Sequence, residues 1–292
     1  MTTQTRSPLF SAKFLLPFSL LWVVLVGLSG FPVSQLSEYI SYSLLGVLGA
    51  IFASSTGAGG GVIFIPMFNH LSFSEIQSIA TSFAIQCFGM TAGALTWYHH
   101  YHKEKRDLVL WQGFKRIIAV TSIAAIAGIW SIYGANVNSP ASLHQSFGWF
   151  SLALGLFIVT TVYLLKPKRE SSKLQYFDYL AIIAIGYFGG AITAWLSVGV
   201  GEVLAIYLIL RRFDVTMAVA AAVVVSAFTV WSAIWQHTLI SFNVYWQVVI
   251  FAGPGAVIGG ILAKSLVTYL SARKLKLFFA FWLIAIGLTE TL

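Results

Sequence analysis

Charge is what this sequence has least of. Asp, Glu, Lys and Arg make up 9% of its 292 residues, against 58% hydrophobic. A soluble domain carries about 25% charged residues, so a soluble globular fold is excluded. Cysteine is almost absent: Cys87 stands alone in an apolar stretch, which rules out a disulfide framework or a cysteine-based zinc site and leaves it the role of an inert apolar filler. His-Glu-x-x-His, Gly-x-Ser-x-Gly and phosphate-loop patterns are missing, as is any cluster of membrane carboxylates and histidines. A hydrolytic enzyme, a metal or organic cofactor and self-supplied ATP hydrolysis therefore have no signature here. No sizeable polar domain exists to serve a receptor or scaffold. The balance of 17 Lys plus Arg against 9 Asp plus Glu gives +8. These cations sit in short loops, where they set membrane orientation, so nucleic acid is not an expected partner.

What is present is a series of long apolar runs, at about 14–30, 38–56, 75–98, 111–133, 143–165, 176–197, 214–236, 244–267 and 273–290. Several approach or exceed the roughly 18 residues of a membrane span. They are unbroken, unlike the alternating strands of a β-barrel. The first is followed by Phe31-Pro32-Val33 rather than a small-residue cleavage site, so it reads as a retained helix. The expected fold is an all-α polytopic membrane protein.

Basic clusters fall at Arg6 and Lys13, at 103–116, at 166–173, at Arg211-Arg212 and at 264–276, whereas 31–37, 134–142, 238–243 and the C-terminal tail have none. Placing every cluster in the cytoplasm puts 31–37 and 71–74 both outside. Residues 38–70 must then enter the bilayer and return. Residues 174–211 do the same from the cytoplasmic side. Each half thus reads as a re-entrant helical hairpin plus three transmembrane helices, in opposite orientation, which is an inverted repeat. The entering arms are near full-span length and must tilt or pass the midplane. The division expected is 1–37 for an extra N-terminal helix, 38–168 for the first repeat and 169–292 for the second, with the N-terminus cytoplasmic and the C-terminus outside. Ser55 to Gly59 parallels Ser197 to Gly201. The stripe Ser82, Gln86, Gly89, Gly93 parallels Ala222, Ser226, Thr229, Ala233. Trp97-Tyr98-His99 parallels Trp235-Gln236-His237.

The hairpins turn at "GAGGG", with Gly57, Gly59, Gly60 and Gly61, and at "SVGVGE", with Gly199 and Gly201. Non-helical backbone at membrane depth survives only where protein buries it or water reaches it. Each returning half-helix starts at a break, so its N-terminal N–H groups and partial positive charge point into the protein. Two such ends make an anion site without any lysine or arginine; glycines serving only close helix packing are the alternative. Ser55, Thr56 and Ser197 are candidate hydroxyl donors. Ser82, Gln86 and Ser226 either contact substrate or hydrogen-bond between helices. Glu202, the one acidic residue expected well inside the membrane, reads either as an N-cap or as a protonatable coupling group. Trp97 and Trp235 are expected as interfacial anchors. The histidines are expected to be solvated, with His99 and His237 near the two exits.

The stretches "GAGGGVIFIPMF" and "IATSFAIQCFGMTAGALTWY", with the weaker "SVGVGEVLAIYLIL", resemble the sulfite exporter TauE/SafE family over about residues 40–290. The resemblance implies a bacterial inner-membrane carrier of sulfite or small sulfonates such as sulfoacetate. Its partners are then a small oxyanion and the lipid bilayer, with a homodimer as a further expectation. Glu202 after Gly201 departs from a glycine-rich second motif and breaks the two-fold symmetry of the site. An anion channel is the main competing function, and an integral-membrane enzyme the next.

Overall fold

A computed structural model describes residues 9, 11–30, 38–138, 142–164, 173–269 and 272–291. The basic clusters at 166–169 and at Arg6, and the cation-free stretch 31–37, lie outside the described residues. Eleven α-helices form among the described residues, with no strand. They are α1 (Ala12–Leu28), α2 (Ser41–Thr56), α3 (Gly61–His70), α4 (Glu75–His100), α5 (Phe114–Gly134), α6 (Leu143–Leu164), α7 (Tyr176–Leu196), α8 (Val200–Leu210), α9 (Val215–Trp235), α10 (Trp246–Tyr269) and α11 (Ala272–Thr291).

Among the described residues, six helical segments are long and apolar enough to cross a membrane: Glu75–Lys105, Val109–Gly134, Gln145–Tyr163, Tyr176–Leu196, Val215–Ile240 and Trp246–Tyr269. This set differs from the sequence-based crossings. It includes α7, whose 21 residues reach about 31 Å at ~1.5 Å per residue. It omits α11, apolar over Leu277–Thr291, and it omits α1, whose 17 residues give about 25 Å against a hydrocarbon core of about 30 Å. None of the residues of α1 is buried. It leans on α10, where Trp22 Nε1 donates to Ile250 O at 2.5 Å.

Helices α4 and α9 cross through the middle and carry long rows of buried small and apolar side chains. Around them, α2 lies against α10 and α7 against α5. Both pairs approach backbone to backbone. A Cβ on Gly46 would stand 2.0 Å from Ala252 O and one on Gly255 2.0 Å from Ser43 O; a Cβ on Gly190 would stand 2.2 Å from Ala125 O and one on Gly128 2.0 Å from Tyr187 O. Small residues let apolar helices pack this closely without a hydrophobic drive between them. Helices α6 and α11 pack on each other at the periphery.

Local backbone features recur at a constant interval of 140 residues. Helix α2 ends on left-handed Gly57 (φ 84) and α7 on left-handed Ser197 (φ 58); Ser72 (φ 62) and Arg212 (φ 64) close the turns after α3 and α8. Phe73 N–H donates to Phe68 O and Phe213 N–H to Leu208 O. Ser74 Oγ then caps α4 through Gln77 N–H, and Asp214 Oδ1 caps α9 through Met217 N–H. This interval matches the small-residue stripes. It sets Gly57, rather than Ser55, opposite Ser197, so the motif pairing Ser55–Gly59 with Ser197–Gly201 is out of step by two residues.

The ends of α4 and α9 correct two further expectations. Trp97 is no interfacial anchor: it is fully buried, and its Nε1 donates to Ser54 O at 3.0 Å. Trp235 is 53% exposed. His100 and His237 are buried rather than solvated. His100 Nδ1 lies 3.1 Å from Glu104 Oε2, and Lys264 Nζ lies 3.7 Å from Glu104 Oε1. His237 Nε2 pairs with Tyr133 Oη at 3.1 Å. Each α-helix passes into a single π-helical turn here, Tyr101–Lys105 and Gln236–Ile240, which shifts the register of the side chains that follow relative to a straight helix.

Candidate functional site: two helix breaks tied across each other

Helix α2 stops where Gly57 takes a conformation that a Cβ would strain. The chain runs through Ala58, Gly59 and Gly60 before α3 begins. Helix α7 stops at Ser197 in the same manner, and α8 resumes after Gly199 (φ 143). The two breaks lie against each other. A Cβ on Gly59 would come within 2.9 Å of Ser197 O, one on Gly61 within 2.8 Å of the same oxygen, and one on Gly201 within 2.1 Å of Gly57 O. The glycines here serve close approach of one break to the other. A valine at Gly61 therefore collides with the protein's own backbone, and one at Gly60 with Phe64 and Gln86.

Four side chains take the amides that the breaks expose. Glu202 Oε2 accepts from Gly199 N–H at 2.8 Å in its own half, and Oε1 accepts from Gly59 N–H at 2.7 Å in the other. Gln86 mirrors this division. Its Oε1 accepts from Gly60 N–H at 2.7 Å, while Nε2 donates to Ser197 Oγ at 2.8 Å and Ser197 O at 3.3 Å across the interface. Thr193 Oγ1 accepts from Val200 N–H at 3.1 Å, and Thr56 Oγ1 accepts from Ala58 N–H at 3.2 Å. Ser82 Oγ joins the network, accepting from Gln86 Nε2 at 3.0 Å and lying 3.1 Å from Ser197 Oγ.

The expected site residues thus divide. Gly59, Gly60, Ser82, Gln86, Ser197, Gly199 and Glu202 are brought into two adjacent hydrogen-bonded sets, one centred on Glu202 and one on Gln86, with Gly57, Gly61 and Gly201 forming the contact surface between the breaks. Ser55 Oγ donates back into its own helix, to Phe52 O at 3.1 Å, and Thr56 Oγ1 does so at 2.8 Å. Both hydroxyl protons are thereby engaged on α2. Ser226 stands apart: its Oγ is buried and has no hydrogen-bond partner, and it faces the first turn of α8, 2.3 Å from where a Gly201 Cβ would be. Thr193 escaped the sequence reading. One turn before Ser197, at the position Ala53 holds in the first half, it was a polar residue in an apolar helix with no motif around it.

Between these groups lies a cavity of about 10 Å³, lined among others by Gly59, Gln86, Ser197, Glu202, Ser226 and Thr229. That volume admits about one water and no sulfonate, so the site is closed in this conformation. Its lining contains no lysine, arginine or histidine, and Glu202 is its single ionisable group. Positive potential comes from the starts of α3 and α8. Among the described residues no cluster of His, Cys, Asp and Glu could hold a metal.

A multi-pass helical membrane protein with a buried polar centre built on two broken helices is the class these features define. The chain belongs to the sulfite exporter TauE/SafE family, whose model matches residues 42–289. That match begins at α2, leaves α1 outside and takes in both breaks. The family is one of membrane transporters. No curated protein and no solved structure matches the chain.

Proposed function

We propose that this protein is a secondary transporter, working as an exporter, of small sulfur oxyanions such as sulfite or a short sulfonate like sulfoacetate, bound between the two breaks near mid-membrane. The observation that carries the reading is the face-to-face meeting of two helix N-termini over a polar cluster that contains no cation. Backbone N–H groups hold oxyanions at helix starts, and partial charges bind a small anion without the cost of a fixed charge in the bilayer. In this reading Ser55, Thr56 and Ser197 border the anion, while Ser82, Gln86 and Ser226 limit its size.

The architecture proposed is two inverted repeats, each a re-entrant hairpin with three crossings, in a bacterial inner membrane with the N-terminus cytoplasmic. Exchange of packing partners supports it: α2 on α10 and α5 against α9 in one half correspond to α7 on α5 and α10 against α4 in the other. The cavity of about 10 Å³ favours a carrier with a closed state over an open channel. In proteoliposomes with an imposed pH gradient, sulfite or sulfoacetate is expected to accumulate against its gradient and to return unchanged. Flux that only equilibrates identifies a channel, and chemical conversion identifies an enzyme. Cysteine labelling is expected to reach a cysteine at Ser72 from outside and one at Arg212 from the cytoplasm; the reverse pattern ends the re-entrant model.

A further inference from the structure

We infer that the Glu202 carboxylate is the resident anion of this site, an internal competitor that holds the break amides in the closed state and that an entering oxyanion must displace. The inference rests on the transport reading above and specifies how that site is kept when no substrate is in it. A carboxylate and a sulfonate present the same thing to an N–H donor, a pair of oxygens sharing negative charge. Glu202 offers its two oxygens to two amides that belong to different breaks, Gly59 at 2.7 Å and Gly199 at 2.8 Å. An N-cap needs only the second of these. The first reaches 143 residues along the chain and places the carboxylate between the two helix starts, where a substrate oxyanion would sit.

Ser226 is the independent observation. Its hydroxyl is 3% exposed, makes no hydrogen bond and borders the same cavity as Glu202. A buried hydroxyl left bare costs about 1–3 kcal/mol, and such a group calls for an explanation, which a ligand-bound state supplies. At the interval of 140 residues the counterpart of Ser226 is Gln86, whose longer amide already binds Gly60 and Ser197. Where Gln86 fills its side, Ser226 leaves space and an unused donor beside the carboxylate. An oxyanion that takes the amides from Glu202 gains this third donor, which the carboxylate does not reach. Displacement has a second effect. Once Glu202 lets go of Gly59 N–H, one of the two cross-break ties is open, so substrate entry loosens the seam between the halves.

The test is equilibrium binding of methanesulfonate, whose charge is fixed over the working pH range, and of sulfoacetate, to the purified full-length protein. Glu202→Gln keeps the shape but removes the competing charge and turns one amide hydrogen toward a donor. It is expected to bind methanesulfonate at least tenfold more tightly than wild type and to recover its lost melting temperature when the anion is added. Ser226→Ala in the Glu202→Gln background is expected to reverse the gain by about tenfold, while Ser226→Ala alone, which removes the unpaired hydroxyl, is expected to raise the melting temperature. Glu202→Ala, which opens a carboxylate-sized space that acetate or methanesulfonate refills, supplies the same readout where the glutamine variant fails to fold. Wild-type binding with equal or weaker binding by the Glu202 variants overturns the competitor and leaves the transport site standing. No sulfonate binding by any form overturns the site itself, and this inference with it.

Discussion

The first break is built of four glycines and the second of two, yet both open on a left-handed residue, Gly57 and Ser197, before the chain resumes as helix, one residue sooner in the second. Gly57, Gly59, Gly60 and Gly61 correspond at the 140-residue interval to Ser197, Gly199, Val200 and Gly201. Only two glycines are shared. At Gly61 and Gly201 each break touches the other, and Gly199 carries the positive φ. Elsewhere side-chain hydrogen bonds stand in for glycine. Ser197 holds a left-handed conformation that costs about 1–2 kcal/mol in a residue with a Cβ, and its hydroxyl is anchored by Gln86 and Ser82. Thr193 takes the amide of Val200. The first break takes its left-handed turn on a glycine that needs no side chain to hold it, and the second takes the same turn on Ser197, whose hydroxyl is bonded in place.

Four substitutions, two of them paired with a control in the first half, press on that difference. The largest effect is expected for Gly201→Ala. Its Cβ meets Gly57 O at 2.1 Å and Ser226 Oγ at 2.3 Å, so the two breaks must separate, at about 3 kcal/mol or more. Gly60→Ala meets only the side chains of Phe64 and Gln86 and is expected to cost less than half as much; equal melting temperatures for the two variants in detergent would erase the distinction. Next is Gln86→Leu, which strands Gly60 N–H and Ser197 O in a buried place and is expected to cost about 3 kcal/mol with loss of transport. Third is Arg211→Met. Arg211 Nε donates to Asp178 Oδ1 at 2.5 Å, with Asp178 fully buried and the Arg211 side chain 37% exposed. Tyr207 Oη also donates to Asp178, at 2.7 Å. Losing the cation is expected to cost about 2 kcal/mol, below the full value for breaking a buried pair because of that exposure. The equivalent Leu71→Met on the first hairpin is expected to be silent, since an apolar residue stands there in place of the cation. The smallest effect is Ser197→Gly: relief of the left-handed strain and loss of two hydroxyl bonds nearly cancel, leaving a change within about 1 kcal/mol. A large destabilisation would show that the hydroxyl bonds outweigh the left-handed strain, and a clear gain in stability would show that those bonds are not what holds the second break.

Much of the scaffold was legible because it is local. Helix limits followed from apolar runs, the breaks from glycine clusters, and the face of α4 that meets them from the stripe Ser82-Gln86-Gly89-Gly93. Partners were not legible. A stripe says which face of a helix is special and nothing about what it faces, so Gln86 was indistinguishable from a substrate contact until its bonds to Gly60 and Ser197 appeared. Glu202 looked like an N-cap or a coupling group. It does cap α8, but its second bond, to Gly59, depends on a meeting of segments that no window of sequence contains. Trp97 misled for the same reason. A tryptophan near a helix end looks like a lipid anchor, and only the packing of α2 against α4 turns it inward to Ser54 O. The buried histidines were not legible either: His100 ends α4 against Trp97 and Trp111, and His237 stacks on Phe83 from within a π-helical turn for which the sequence carries no signal.

The reciprocal reach of Gln86 and Glu202 makes the halves complements rather than duplicates. Two copies of the first half laid together would present Gln86 twice and Val62 where Glu202 stands, leaving both Gly59 amides bare in the interior. Two copies of the second would set carboxylate against carboxylate with no cation near. Each half therefore selects the other as its mate, and the chain cut between α6 and α7 would reassemble as a heterodimer in which neither piece pairs with itself.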